Sequence, residues 1–571
     1  MRGGIGNARP SGVTTRTGPR TTRGPFGLVV MVMSLMAANI ERIPVWRVSS
    51  RASPMRNLLP LSLVVVGASA CITERGPFTN RMAHSATSYL ARAARQPVNW
   101  QPWGRDAFAL AAKLDRPVLL YVGGEACRWC AETDRAIYTD PEIGALINAL
   151  FVPVRVDRDE RPDVAQRYQA SVATMAGLRG WPLTVFLTPD GAAFFGGTYF
   201  PADDPITGRG LKQILPEVAK SYRDRRAFIV QHAALVRQLA FAGTGVGRGV
   251  LKADRINPEV VTARTALDLA VRTRAAVGSV MHAEAASLLI SEFARSGDSL
   301  SLVVARRALD LLIDSAAVAS GPPTGAPEDP PRLVRAALLR GLAKGWVVTG
   351  EASYRDAGRA LARSLAREVS DPGDRPIFAD QEAYVIEAVI LAAATLGEAP
   401  AERRARGALD GLLQRMYARG WGVRHAVTGS AQVGGGGLLQ DQVQVAGACV
   451  AAYQVGGDAR YLAIARDLAA VLEANYADPL GGYFDAAAVD PTAPALSDRT
   501  KQVFDDILPG ANAWTARVLL RLAEATGDAS YRRRAEAVLE AFAGGVDGAG
   551  VKASTFLGAA REVLASRTTP P

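Results

Sequence analysis

The sequence predicts a multidomain chain, α/β in its first half and all-α in its second. Three observations carry this. At 571 residues the chain exceeds what one hydrophobic core accommodates. Between residues 80 and 200, short apolar runs alternate with segments of helical period, the pattern of strands interleaved with helices. From about residue 255 the strand signals stop, and helical segments follow one another through short connections.

In the α/β part, "RDAFALAAKLD" (105–115) places apolar residues at helical spacing, and "PVLLYVGG" (117–124) is a continuous apolar run ending in glycines. Such a run is what a strand buried on both faces needs. A helix is expected from near Cys127 through "AETDRAIY", another over "DPEIGALINALF", a strand over "VPVRVD" (152–157) and a helix over "PDVAQRYQAS". "WPLTVFLTPDG" is a strand running into a Pro-Asp-Gly turn, with "AAFFGGTYF" as its hairpin partner. The order is βα, βα, then a β-hairpin, which makes a mixed sheet.

In the all-α part, twelve helical segments are expected near 257–273, 282–297, 299–317, 331–349, 351–369, 380–396, 400–418, 440–456, 458–476, 510–526, 528–543 and 553–566. A phrase recurs at the connections: "TGEASYRDAGRAL", "GGDARYLAIARDL" and "TGDASYRRRAEAVL". Gly350, Gly457 and Gly527 each stop a helix, and Tyr354, Tyr461 or Tyr531 follows four residues later. A tyrosine at that point packs one helix on its neighbour. Repeated hairpins of this kind stack into a solenoid or close into a ring; twelve helices make six hairpins, so an (α/α)6 toroid is expected over 255–571.

The N-terminus has another character. Residues 1–54 hold eight arginines against one acid, so +7 of the net +11 lies there. This segment is expected to be a disordered basic leader, with Met55 as a candidate start of translation. Beyond it no block of basic residues interleaved with aromatics occurs, so no nucleic-acid partner is expected. Residues 55–71, "MRNLLPLSLVVVGASAC", carry a basic residue, an apolar run and the small residues Ala68, Ser69 and Ala70, as a secretory signal does. The stretch ends on Cys71, as bacterial lipoprotein signals do. Lipidation at Cys71 would anchor the protein to the membrane on the extracytoplasmic side; the alternative anchor is the apolar run at 27–40.

Cys449 lies in an apolar helical stretch and is expected to be core. Cys127 and Cys130 remain, in "GGEACRWCAE". With four scattered histidines and no further ligands nearby, neither a structural zinc site nor a cofactor is expected. A CxxC at a strand-to-helix junction, with Pro182 beginning a later strand, is the thioredoxin arrangement. At a helix N-terminus a cysteine thiolate is stabilised by free N–H groups and the helix dipole, and Arg128 adds positive charge. Cys127 is then the attacking thiolate, Cys130 the resolving thiol, and Trp129 shapes the surface. Trp181 and a cis Pro182 would hold an extended substrate strand. A residual thioredoxin fold with a merely local disulfide is the other reading.

The stretch 80–204 resembles a known family through six ordered motifs: "NRMAHSATSYL", "QPVNWQPWG", "PVLLYVGGEACRWC", "VRVDRDERPDVAQRYQ", "GWPLTVFLTPDG" and "FFGGTYFPADD". They resemble the thioredoxin-like domain of the spermatogenesis-associated protein 20/YyaL family. That family joins the domain, here 80–240, to a toroid similar to six-hairpin glycosidases and N-acylglucosamine 2-epimerases. "GGYFD" (481–485) and "FDDILPGANAW" (504–514) extend the likeness loosely into the toroid. The family pattern has histidines where this chain has Arg128 and Ala131. Arg128 cannot shuttle a proton. The buried aspartate that many thioredoxins place six residues before the first cysteine is replaced by Tyr121. The charged run Asp157–Arg161 either pairs within itself on the surface or rims the cysteine site.

The resemblance leaves two functions open. One is a thiol–disulfide redox protein whose toroid binds a carbohydrate or a protein partner. The other is a carbohydrate-active toroid, a glycoside hydrolase or sugar isomerase, beside a non-catalytic thioredoxin-like domain. Sugar hydrolysis uses two opposed carboxylates, for which Asp380, Asp441, Asp505 and Asp506 are candidates; Asp380, Asp505 and Asn512 are the substrate-binding residues expected in the toroid. Each acid also has a helix-cap or loop reading. Isomerisation would require two histidines, and only His282 and His425 are available in this half.

Overall fold

A computed structural model describes residues 78–204, 209–242, 247–273, 277–318, 331–371, 373, 375–426 and 437–568. The expected leader, the signal and Cys71 lie outside these residues. Among the described residues no helix is long and apolar enough to cross a membrane.

The α/β part opens with α1 (Ser88–Arg92), β1 (Gln101–Pro102) and α2 (Arg105–Leu114). It continues with β2 (Val118–Gly123), α3 (Arg128–Ala136), α4 (Pro141–Leu150), β3 (Val152–Asp157) and α5 (Pro162–Ala176), and its hairpin is β4 (Leu183–Leu187) with β5 (Ala193–Gly197). Strand order is β1-β3-β2-β4-β5. β1, β3 and β2 are parallel, while β4 runs antiparallel to β2, and β5 to β4. Every residue of β2, β3 and β4 is buried, which explains why these strands read as unbroken apolar runs instead of alternating ones. Two helices without a sequence assignment, α6 (Leu211–Asp224) and α7 (Arg226–Ala242), complete the domain. They bury Leu211, Leu215, Tyr222 and Ile229 against its core.

Among the described residues the all-α part has twelve α-helices: α8 (Ala253–Thr273), α9 (Val280–Ser296), α10 (Ser299–Val318), α11 (Pro331–Thr349), α12 (Ala352–Ser370), α13 (Ala379–Leu396), α14 (Ala399–Met416), α15 (Leu439–Gly456), α16 (Ala459–Asn475), α17 (Ala511–Thr526), α18 (Ala529–Glu540) and α19 (Ser554–Thr568). A small hairpin, β6 (Tyr417–Ala418) with β7 (Gly422–Val423), lies between α14 and α15. Helices α9, α11, α13, α15, α17 and α19 each pack on the next, and α19 returns to α9. This closes an inner ring of six, and the outer helices pack behind it, so the domain is an (α/α)6 toroid. The hairpin phase runs inner helix then outer helix, and the leftover α8 packs on α19, at the other end of the chain. The recurring glycines end inner helices in the left-handed region, with φ of 70° at Gly350, 72° at Gly457 and 71° at Gly527, where glycine is favoured. Tyr354, Tyr461 and Tyr531 are buried, as their spacing predicts.

The two domains share core. The connection between α16 and α17 leaves the toroid, and its Ala493, Ala495 and Leu496 join the hydrophobic core of the α/β domain. Asp490 fixes this strap by accepting from Trp103 Nε1 at 3.1 Å and Arg161 Nη2 at 2.8 Å. Arg105 Nε donates to the Pro491 carbonyl at 3.0 Å, and Ala495 N donates to the Asp190 carbonyl at 2.8 Å.

Candidate functional site

β2 delivers the chain to Gly123–Gly124, where a turn with Cys127 N donating to the Gly124 carbonyl starts α3. Cys127 is the N-cap: its sulfur accepts the Cys130 N–H at 3.1 Å, and it forms a disulfide with Cys130. A side chain that accepts from a free N–H at this point serves as a helix cap and lies where a thiolate is favoured. Cys127 is 1% exposed and Cys130 is 0%. Arg128 and Trp129 point outward, Trp129 being 48% exposed beside the Tyr199 ring. The Trp181–Pro182 bond is cis, and the pairing of Val122 with Leu183 brings Pro182 to the level of Gly123.

Beneath the disulfide lies a buried polar layer. Arg155 donates to both carboxylate oxygens of Asp134 on α3, at 2.7 Å each, and its guanidinium lies over the rings of Tyr89 and Tyr121 at 4.4 and 5.0 Å. Tyr121, in the position many thioredoxins give to an aspartate, points its hydroxyl at the Cys130 carbonyl, 3.4 Å away. A buried acid is nonetheless present, on the neighbouring strand. Asp157 pairs with Gly123 in the β2–β3 ladder. Burial, followed by the Asp159 charge, pushes its carboxyl up to about 7, against the pull of the Asp159 N–H and the Thr87 hydroxyl.

The charged run 157–161 is not a surface ladder. Asp157, Arg158 and Asp159 are buried where the α/β domain meets the toroid. Arg158 N donates to the Gly123 carbonyl at 2.7 Å, its guanidinium lies 5.5 Å from the Trp181 ring, and its Nε is 3.5 Å from Asp159 Oδ1. The Asp159 carbonyl accepts from His425 Nε2 at 2.9 Å, and His425 Nδ1 faces Asp441 Oδ1 at 2.8 Å. Burial disfavours charge on His425, but Asp441 and then Asp380 outweigh it and hold the ring up at about 10. The imidazolium therefore donates from both nitrogens.

Asp441 also accepts the N–H groups of Asp380 (3.2 Å) and Leu438 (2.8 Å), capping α15. Asp380, His425 and Asp441 present ligand-type atoms within 4.8 Å of one another. Because both ring nitrogens are already engaged, the trio serves as a hydrogen-bonded latch between the domains. Burial, opposed by His425 and assisted by Asp441, raises the Asp380 carboxyl to about 7.

The other toroid residues expected to bind substrate are spent on backbone. Asp505 accepts from Gly510 N and Thr555 N, both at 2.9 Å. Asn512 accepts from Tyr483 N at 2.7 Å and donates to the Tyr483 and Gln502 carbonyls at 2.9 and 3.0 Å. The N-terminal ends of the inner helices, where these residues cluster, lie against the α/β domain. The crevice there, between Pro162 and Gln166 on one side and Asp380, Gln440 and Pro509 on the other, has about 30 Å³ of free volume. That is room for a water or two, against roughly 300 Å³ or more for a ligand cleft. A second cavity of about 90 Å³ lies inside the ring, among Glu284, Ser287, Lys344, Arg517 and Glu562.

Three features were not read from the sequence: the His425–Asp159 bond, the Asp490 strap and the buried layer around Tyr89 and Asp157. Tyr89 and Asp157 do fall in two of the motifs that carry the family resemblance, and that is the one signal that could have marked them.

Comparison with known proteins agrees with the α/β part of this architecture. Residues 79–240 match a DsbH-type thioredoxin family model described as a protein of unknown function, DUF255. Spermatogenesis-associated protein 20 of Homo sapiens is 36% identical over 170 residues, which are 30% of this chain and 22% of that protein. An uncharacterised protein of Caenorhabditis elegans is 35% identical over 170 residues, covering 30% of this chain and 23% of that one. The matched part thus spans less than a quarter of either relative. Among solved structures, the unsaturated glucuronyl hydrolase of Bacillus sp. GL1 aligns with a TM-score of 0.41 and 15% identity, covering 55% of this chain and 97% of that one.

Proposed function

We propose that this chain is a thiol–disulfide exchange protein in which Cys127 and Cys130 are the working pair and the toroid is the body that holds and presents them. The observation that carries the reading is Cys127 as the N-cap of α3, its sulfur 3.1 Å from the Cys130 N–H. When the disulfide opens, that N–H and the helix dipole remain to stabilise a Cys127 thiolate. Trp129 offers an exposed aromatic contact to a partner, and Trp181–Pro182, level with Gly123, would hold an extended segment of it. The latch and the strap keep the 157–161 loop, and with it the floor of the site, in one position. The expected partner is a protein thiol or disulfide, with a protein or carbohydrate contact on the toroid. The expected setting is the extracytoplasmic face of a membrane, with Cys71 as lipid anchor.

A sugar hydrolase is the weaker reading, since Asp505 and Asn512 are bound to backbone and, among the described residues, the crevice at the mouth of the ring offers only about 30 Å³. Trapping separates the two. Cys130→Ser should accumulate mixed disulfides through Cys127, Cys127→Ser should accumulate none, and wild type should reduce insulin with dithiothreitol. If none of these differs from a Cys127/Cys130 double serine variant, the redox reading is lost.

A further inference from the structure

The disulfide form leaves a weakly satisfied polar atom beside Cys130. Tyr89 is buried, and the one polar side chain its hydroxyl engages is Tyr121, at a geometry short of a full hydrogen bond. A methyl group built on Gly123 would lie 2.1 Å from that hydroxyl oxygen and 3.0 Å from Cys130 Sγ, so the two atoms face one backbone carbon within about 5 Å of each other. Buried hydroxyls in native structures have partners; this one borders a sulfur that is tied up in this oxidation state and becomes an acceptor when the disulfide opens.

Asp157 lies on the same side. Residues paired in a ladder share a face, and Asp157 pairs with Gly123 as Arg155 pairs with Tyr121. That face is covered by α3, to which Arg155 and Tyr121 bond through Asp134 and the Cys130 carbonyl. Asp157 is electrostatically coupled to Tyr89. Its other polar and charged neighbours are Thr87 ahead of α1, and Asp159 and Glu160 of its own loop. Arg155 and Asp134 are the remaining charges around Tyr89.

We propose that Tyr89 relays a proton between the Asp157 carboxyl and the Cys130 sulfur each time the disulfide opens or closes. This rests on the thiol–disulfide reading above. On opening, a reductant thiolate bonds to Cys127 Sγ, the Cys127–Cys130 bond breaks, and its electron pair leaves on Cys130 Sγ. The reductant sulfur is oxidised and Cys130 is reduced. Tyr89 gives its proton to Cys130 and takes one from Asp157, leaving the carboxylate. A second reductant thiolate then releases Cys127. Closure runs the same steps backward.

The test follows opening of the full chain's disulfide by dithiothreitol between pH 5.5 and 9, by alkylation and mass, with each rate divided by the thiolate concentration. For wild type this normalised rate is expected to be level below about pH 7, the region to which burial raises Asp157, and to fall above it. Asp157→Asn should abolish the break, and both Asp157→Asn and Tyr89→Phe should slow opening at pH 6 at least tenfold while keeping the wild-type near-UV circular dichroism. A wild-type profile without a break overturns the relay whatever the variants do, as do folded variants that retain the wild-type rate and break. A wild-type disulfide that excess dithiothreitol never opens in the folded chain removes the redox reading itself.

Discussion

His425 of the toroid donates from Nε2 to the backbone carbonyl of Asp159 at 2.9 Å, joining positions 266 residues apart. Asp159 stands two residues beyond Asp157, so the floor of the disulfide site hangs on a toroid histidine. The bond works because Asp441 and Asp380 keep the buried ring charged, and a charged donor makes a stronger hydrogen bond than a neutral one.

His425→Gln should therefore destabilise the chain and loosen the 157–161 loop together. Removing one partner of a buried ion pair costs about 3–5 kcal/mol. The pH dependence has a definite sign. The folded-state pKa of His425 is raised from 6.5 to about 10, so its contribution is complete below about pH 6.5 and is lost as pH rises through 10. Thermal melts of wild type and variant should differ most near pH 6 and converge towards pH 10. A constant gap across that range would mean that the ring is uncharged in the fold.

Asp490→Ala should release the strap without unfolding the ring. The carboxylate holds Trp103 and Arg161 of the α/β domain, and each lost charge-assisted bond costs about 1.5–3 kcal/mol. Hydrogen exchange should rise over 486–499 while the inner helices stay protected. Equal exchange in variant and wild type would show that Ala493, Ala495 and Leu496 hold the strap by apolar contact alone.

Strands β2 to β5 were legible as continuous apolar runs and the twelve toroid helices because burial imposes a helical period, with Gly350, Gly457 and Gly527 giving away three helix ends; the two-residue strands β1, β6 and β7 carry no such signal. The phase of the ring was harder to read. Whether α8 opens a hairpin or closes the circle on α19 depends on a contact across the whole domain, and local pattern does not encode it. The same holds for the site. The CxxC, Pro182 and the helix start after Gly124 are adjacent in sequence or fixed by fold order. β2 carries Tyr121 where an acid would be expected, and the buried acid is instead Asp157 on β3, which strand register alone brings level with Gly123. His425 could not be matched to Asp159 because the bond is to a carbonyl, which carries no side-chain signal.

Tyr461→Phe tests the repeated phrase as packing. Its hydroxyl donates to Asp410 on α14 at 2.8 Å, while its ring is buried between helices. Losing the hydroxyl alone should cost about 1.5 kcal/mol, the low end for a bond to a carboxylate because Asp410 is partly exposed, whereas Tyr461→Ala should cost about 3–5 kcal/mol through the cavity it leaves. Urea denaturation would rank the two. Equal losses would shift the weight from the ring to the Asp410 bond.

Asp505→Asn separates structure from catalysis in the toroid. The two oxygens of Asp505 accept one N–H each, from Gly510 at the start of α17 and from Thr555 in the first turn of α19. Asparagine keeps one acceptor and turns an NH2 towards the other donor, so one buried N–H loses its partner at a cost of about 1–3 kcal/mol. The folded-state pKa of Asp505 is raised by burial from 3.8 to about 7. For a carboxyl shifted in that direction, stability is fullest below about pH 4 and declines as pH rises through 7. Asparagine does not ionise, so the variant should lack this decline, and its deficit relative to wild type should be larger at pH 5 than at pH 8. Denaturation at those two pH values checks it. A variant as stable as wild type at both, yet devoid of a sugar-cleaving activity that wild type possesses, would return Asp505 to the role of a catalytic acid.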